Sequence, residues 1–498
     1  MVAGAFRNPK LFKFNYYKLY SGLIVLRLNM TTKNISDTGV NRNILLVATM
    51  ATHFFNPFMG AAVNVALKKI GTDFSMSAIG LSWVSMSYLL ASVIFLVPFG
   101  KLGDTFGRTK MFLYGTIIFA ITTFACAFVT DSTMFISVRF LQGISSAMMT
   151  STLMAIVISA FPPEKRGKVI GLNVSSVYVG SSLAPMIGGI ITDALSWRSL
   201  FLINATASTL IAILIIWKLN KEWSQTIKEK FDFKGTLLYM LSISMLMYGC
   251  SKIPDTYAII LTLGGLAGLF VFAKVELKTQ FPILNIRLFT ENRVFALSNL
   301  SALINYAATF SISFMLSLYL QYVKGMQARE AGMVLVAQPI FMAIVASFSG
   351  RLSDKKDPRI LTAIGMGISV LGLFMLSFIS ADTTTIYILV ALGVLGFGFG
   401  LFSSPNTNVA MGSVDKKVYG TASAVLGTMR STGMMFSMAI ASLTIHLMLG
   451  ESQINSSNIP QLITSTKIVF AVFTVLCAFG VYTSLARKNS SKSTVQAL

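Results

Sequence analysis

The chain has 498 residues, 54% of them apolar and only 12% charged, where a soluble domain carries about a quarter charged. Long apolar runs without alternation exclude a membrane barrel and leave one class, a polytopic helical membrane protein. The net charge of +22 does not indicate nucleic acid, because the basic residues gather in alternate connecting loops and no soluble basic domain is available to hold one.

Residues 1–42 read as a basic, mixed tail. Its short apolar run, Leu23 to Leu28, is too brief to span, and no cleavage site follows it. Met30 opens a more ordinary polar leader and is an alternative start. Spans of about twenty apolar residues are predicted at 43–67, 79–99, 111–130, 132–160, 168–192 and 198–218. After a charged linker come 235–251 and 257–275, then a second polar connector. The last six are 294–323, 331–349, 360–380, 385–409, 418–448 and 464–486. Fourteen helices result, all-α, as a six-helix bundle (43–218), a linker with two extra helices (219–293), a second six-helix bundle (294–486) and a tail (487–498).

In one set of loops the only basic residues are Lys68, Lys69, Arg198, Lys252, Lys324 and Arg329. Positive loops stay in the cytoplasm, so both termini are expected there, which requires an even helix count. A multi-pass protein of the cell membrane is predicted, surrounded by lipid. Cys126, Cys250 and Cys477 fall inside apolar runs and read as packing residues. The sequence has no metal-ligand spacing, phosphate loop or nucleophile elbow. No cofactor, metal or enzymatic activity is therefore expected, and an ATP-driven pump is excluded.

A charged turn with three glycines, Gly100-Lys101-Leu102-Gly103-Asp104-Thr105-Phe106-Gly107-Arg108-Thr109-Lys110, separates the second and third spans. It recurs as Gly350-Arg351-Leu352-Ser353-Asp354, with Gly, Leu and Asp at the same spacing. Glu164 to Lys168 before helix 5 likewise parallels Asp415 to Gly420 before helix 13. Parallel six-helix halves with a binding site between them at mid-depth are a transporter plan. Helix 4 carries Arg139, Gln142 and Gly143, and helix 13 carries Arg430. A guanidinium inside a span costs several kcal/mol unless it faces a cavity or a partner. In helix 5, Ser176, Gly180, Ala184 and Gly188 share one face, which lets another helix approach closely. Gly189 adds a double glycine, and Pro185 adds a kink.

These elements together resemble the major facilitator superfamily. The resemblance implies that Gly100 and Gly107 permit the loop 2–3 turn. It also implies that Asp104 and Arg108, with Asp354 in the twin, latch the halves together. Arg139, Gln142 and Gly143 resemble the helix-4 signature of proton-coupled members. Gly180, Pro185, Gly188 and Gly189 resemble the helix-5 signature of antiporters, with Ala184 where the family form has glycine. The six-two-six order, Trp197-Arg198 and Phe281-Pro282-Ile283-Leu284 resemble the fourteen-helix drug:proton antiporter branch.

The branch places a carboxylate in helix 1 before an Asn-Val-Ala-Leu run. Here Asn64-Val65-Ala66-Leu67 is present but the matching position is Met59, and no acidic residue lies in the middle of a predicted span. Coupling would then run through an edge group such as Asp131 or Asp193, or through His53, or be absent. Two intramembrane arginines without a carboxylate favour neutral or anionic amphiphiles. The candidates for lining the cavity are Asn56, Asn64, Tyr88, Arg139, Gln142, Asn305, Gln338, Asn406 and Arg430, with His53 as a coupling group. The sequence thus predicts a monomeric secondary transporter, exporting small amphiphilic molecules in exchange for protons. The alternative is a uniporter or an anion or metabolite carrier on the same scaffold.

Overall fold

The computed structural model describes residues 42–218, 231–353, 355–415 and 419–487. Among them the chain is helical throughout, with fourteen long segments. The first six are α1 (Arg42–Asp73), α2 (Ala78–Phe106), α3 (Arg108–Cys126), α4 (Ser132–Ala160), α5 (Pro163–Ala194) and α6 (Trp197–Lys218). Next come α7 (Phe233–Lys252) and α8 (Thr256–Lys278). Then follow α9 (Arg293–Val323) and α10 (Ala328–Ser353), α11 (Pro358–Leu376), α12 (Thr385–Gly412), α13 (Tyr419–Leu449) and α14 (Ile459–Leu485). Thirteen are long and apolar enough to cross a membrane. The exception is α7, which has membrane length at 20 residues but carries Lys234 and Lys252 at its ends.

Two of the segments are interrupted. Segment α9 breaks around Phe310–Ser311 and closes in a π-helical turn at Tyr319–Val323, and α10 breaks at Val336. Because no solvent is present at these depths, the freed backbone groups need protein partners. Ser311 N donates to Ser437 Oγ of α13 at 3.0 Å.

The two sets of six pack in the same pattern. Segment α2 lies on α4, α3 on both α4 and α6, just as α10 lies on α12 and α11 on both α12 and α14. Close approaches repeat residue by residue. A methyl on Gly143 (α4) would meet the Tyr88 carbonyl of α2, its carbon 3.0 Å away; on Gly396 (α12) it would meet the Gln338 carbonyl of α10, 3.1 Å away. Gly180 (α5) faces the Phe54 carbonyl of α1, and Gly433 (α13) faces the Leu303 carbonyl of α9. On Gly115 (α3) the methyl would lie 2.9 Å from Met149 N, and on Gly365 (α11) 2.7 Å from Phe402 N. The partners in these pairs are about 250 positions apart, so the repeat inferred from one charged turn extends through the core. The halves meet through reciprocal pairs, α2 with α13 and α5 with α10. Segments α7 and α8 form a hairpin outside the repeat, with α7 against α2 and α13 and Tyr239 Oη donating to Val93 O at 3.1 Å.

The charged turn differs from its predicted form. The helix does not end near Phe99 but continues to Phe106, and only Gly107, at φ 114° and ψ 122°, breaks it. Few side chains tolerate that backbone, so this single glycine makes the corner. Gly100 is an ordinary helical position, and a methyl there would find only Ser151 Cβ, at 3.8 Å.

Candidate functional site

In the first half, several of the predicted polar residues form two hydrogen-bonded groups across four helices, joined by a contact between Arg139 and the Tyr88 ring. Tyr88 Oη (α2) donates to Asn56 Oδ1 (α1) at 2.6 Å and lies 2.7 Å from Ser146 Oγ (α4). Asn56 Nδ2 donates to the same Ser146 Oγ at 2.9 Å. Arg139 lies 4.6 Å over the Tyr88 ring, with Nε donating to Val84 O at 3.1 Å and Nη1 to Gln142 Oε1. Gln142 Nε2 continues to Thr123 Oγ1 of α3 at 2.6 Å. Arg139 is 1% exposed. Its charge is thus balanced by a carbonyl, an amide oxygen and a π-face rather than by a carboxylate.

Two of the three equivalent positions in the second half carry different chemistry. Asn56, Tyr88 and Ser146 correspond to Asn305, Gln338 and Phe399 when counted along the repeat set by the glycine contacts. Tyr306 and Phe399 pack edge to face, centroids 5.3 Å apart. Arg430 lies 5.8 Å over Tyr306 and donates from Nη2 to Thr407 Oγ1 at 2.6 Å. Tyr178 of α5 reaches in from the first half, its hydroxyl 3.2 Å from Ser403 Oγ and within electrostatic reach of Tyr306 and Arg430. These four side chains sit at least 11 residues from either end of their membrane-length segments, roughly 16 Å at 1.5 Å per residue. They therefore share the mid-depth of the protein, between the halves.

The remaining candidates lie elsewhere. His53 Nδ1 faces Thr49 O at 2.9 Å and Asn173 Oδ1 at 3.0 Å, which holds that ring nitrogen against α5. Asn64 is a helix–helix link: its Oδ1 accepts from Ser85, and its backbone oxygen accepts from Ser317 of the other half at 2.6 Å. Asn305 is fully buried with neither side-chain polar atom partnered among the described residues. Gln338 is half-buried on α10. Met59 is 2% exposed and packs in the apolar core rather than facing an open cavity. Asp131 caps the start of α4 through Met134 N at 2.8 Å.

Asp104 and Arg108 pair at 2.6 Å as neighbours across the Gly107 corner, within one half. The latch expected between halves is thus a local clasp among the described residues, and Asp354 lies outside them. In the twin corner the ion pair is Asp357 with Arg359, at 2.6 Å. Arg359 holds the Asp357 carboxyl below the usual carboxylate range through its hydrogen bonds. It also donates from Nη1 to the Arg487 carbonyl at 2.6 Å.

Sequence reasoning missed two residues. Arg487, assigned to the tail, is fully buried, and its Nη2 donates to Asn406 Oδ1 at 2.8 Å while Asn406 Nδ2 donates to Ser298 O at 3.2 Å. Burial pushes its guanidinium down to about 10. Glu276, placed just past a span, is also buried and accepts from Leu284 N of the Phe-Pro-Ile-Leu run at 3.1 Å. No run of apolar residues flags either position, because each sits where a helix end meets a neighbour.

Among the described residues, hydrogen bonds between the halves, apart from Tyr178–Ser403, all lie at the end opposite Gly107. There Asp193 (α5) accepts from Arg329 N of α10 at 2.6 Å and pairs with Lys69 at 2.9 Å. Lys68 Nζ donates to Gln321 O at 2.7 Å, Gln321 Nε2 donates to Val65 O at 2.9 Å, and Ser82 meets Ser442 at 2.8 Å. The helix-5 signature serves this seam. A methyl on Gly189 would stand 2.8 Å from the Ala328 carbonyl carbon, and one on Gly332 (α10) would stand 2.8 Å from that of Pro185. Gly188 instead packs on Ala62 of α1. Nearby, Trp197 Nε1 and Arg198 Nη1 both reach Asp73 Oδ2, at 2.6 and 3.0 Å, tying α6 to the end of α1.

Two repeated helical bundles, sealed at one end and meeting at a polar and aromatic mid-depth site, define a membrane transporter. The family model of the Major Facilitator Superfamily matches residues 49–438, and the chain belongs to that superfamily. It is 28% identical over 391 residues to the riboflavin transporter RibZ of Clostridioides difficile, covering 78% of this chain and 85% of that one. It is 31% identical over 368 residues to multidrug resistance protein 3 of Bacillus subtilis, covering 72% and 71%. It is 27% identical over 403 residues to multidrug resistance protein Stp of Mycobacterium tuberculosis, covering 80% and 74%. These relatives agree with the branch expected from the sequence. A bacterial homologue of the human lysosomal transporter Spinster, crystallised in an inward-facing, unoccupied conformation, shares the fold at a TM-score of 0.62 and 16% identity. The match covers 91% of this chain and 99% of that one.

Proposed function

We propose that the protein exports small amphiphilic compounds by alternating access, in exchange for protons. The halves, taken as residues 43–218 and 294–486, rock about the mid-depth site. The observation that carries this reading is the one-sided seam: the bonds between halves gather at the end opposite Gly107, which fits a state open at the Gly107 end. The protein works as a monomer in the cell membrane with both termini in the cytoplasm, as the distribution of basic loops supports. It is a carrier and not an enzyme.

Accumulation of amphiphilic dyes in inside-out vesicles containing the purified protein tests the reading. Uptake should rise when a proton gradient, acid inside, is imposed, and fall when it is collapsed. If no compound moves under either condition, export fails as an account.

A second reading is a uniporter or an anion or metabolite carrier. It is favoured by the lack of a mid-span carboxylate and by a His53 ring already committed to Thr49 and Asn173. Transport that continues unchanged after the gradient is collapsed would select it.

A further inference from the structure

The two intramembrane arginines are not alike. Arg139 is nearly sealed from solvent, with Val84 O, Gln142 Oε1 and the Tyr88 ring around it. Arg430 is half-buried, and among the described residues only its Nη2 has a hydrogen-bond partner, the uncharged Thr407 hydroxyl. Its Nε is enclosed with nothing among them to donate to. None of the ion pairs among the described residues includes it. A guanidinium at mid-depth with unused donors is costly until an acceptor arrives, and a charged acceptor lowers that cost most.

The surroundings give the shape of that acceptor. Tyr306 and Phe399 offer ring surface beside Arg430, whereas Ser146, the first-half equivalent of Phe399, belongs to the closed Asn56–Tyr88–Ser146 network. One wall of the site is therefore a satisfied polar network, and the other is aromatic with an uncompensated cation. Resting on the transport reading, we infer that this second wall binds an aromatic anion, with Arg430 donating to its carboxylate or comparable acid group and Tyr306 and Phe399 against its ring. A cationic compound would meet the Arg430 charge, and a neutral one would leave the donors idle. Tyr178, contributed by the other half and bonded to Ser403, brings the anion within reach of both halves.

The test uses three probes on one ring: 2-naphthoate, 2-naphthamide and 2-naphthylmethylammonium, binding to the full-length protein in lipid nanodiscs. Naphthoate should bind about tenfold or more tighter than the amide, and the ammonium compound weakest. Arg430→Gln should erase the preference for naphthoate over the amide while leaving amide binding in place. Arg430→Lys, which keeps the charge, should retain part of the preference and covers the case in which the glutamine variant does not fold. Wild-type protein that binds naphthoate no tighter than the amide, or not at all, overturns the inference, as does an unchanged preference in either variant series. Dye transport in vesicles is read separately, so that result can stand when this one fails.

Discussion

Gly332 is the position where the seam between halves is most tightly drawn. A methyl there would stand 2.8 Å from the Pro185 carbonyl carbon and nearer still to its oxygen, both backbone atoms that cannot rotate away. Reaching an ordinary contact of 3.4 Å requires α5 and α10 to part by more than about 0.6 Å at this point. Overpacking of this kind costs about 1–3 kcal/mol, and it costs little once the two helices have separated. Gly332→Ala should therefore shift the balance between states roughly fivefold to a hundredfold toward the one open at this end. Spin labels at Leu195 and Glu451, exposed on opposite sides of the seam, would report a longer component in their distance distribution. Gly60→Ala, where a side chain meets nothing within 4 Å, serves as the control and should match wild type. A Gly332→Ala distribution identical to wild type would refute the claim that this contact holds the end closed.

Gln142→Leu should lower thermal stability by about 1–3 kcal/mol and reduce transport, because it leaves Arg139 Nη1 and Thr123 without their partner; thermal unfolding in detergent measures the first effect. Asp193→Asn removes the Lys69 ion pair but keeps an oxygen for Arg329 N, so the same spin-label distances should change by less than about tenfold in population, as a half-exposed pair warrants. Met59→Asp, placing a carboxylate in the apolar core, should depress the yield of folded protein rather than widen selectivity toward cations, which size-exclusion profiles and cation binding would separate. The Asp357 carboxyl is held low by Arg359, so its contribution to stability is present above about pH 4 and is lost as pH falls through its lower folded value. The gap in melting temperature between wild type and Asp357→Asn should therefore be steady at neutral pH and close only in acid.

The helices were legible because lipid leaves an apolar span few alternatives, and charge placement required only that their number be even. Helix ends were less legible. The run from Gly100 to Phe106 is polar enough to read as a loop, yet it continues as helix until Gly107 breaks it. Arg139 with Gln142 was found through the cost of a buried charge, and the structure gives the pair partners on two other helices, Val84 and Tyr88 on α2 and Thr123 on α3. Asn64 and Asn406 looked like cavity residues for the same reason but bond to neighbouring helices. Sequence polarity marks a residue that needs a partner without saying whether that partner is protein or ligand. Nor could a count of intramembrane arginines separate Arg139, which is fully engaged, from Arg430, which is not.

The seam opposite Gly107 has a consequence for acid. Lys68 donates across it to Gln321 O and Lys69 to Thr192 O beside it, oxygens in the last turns of α9 and α5, where helix carbonyls lack partners of their own. Ala78 N and Ser452 O, and Gln453 Nε2 and Ser75 O, add further bonds between the halves. Peptide oxygens bind no proton in the physiological range, and Asp193 is the one carboxylate in these cross-seam bonds among the described residues. Acidifying that side therefore leaves most of the fastening intact.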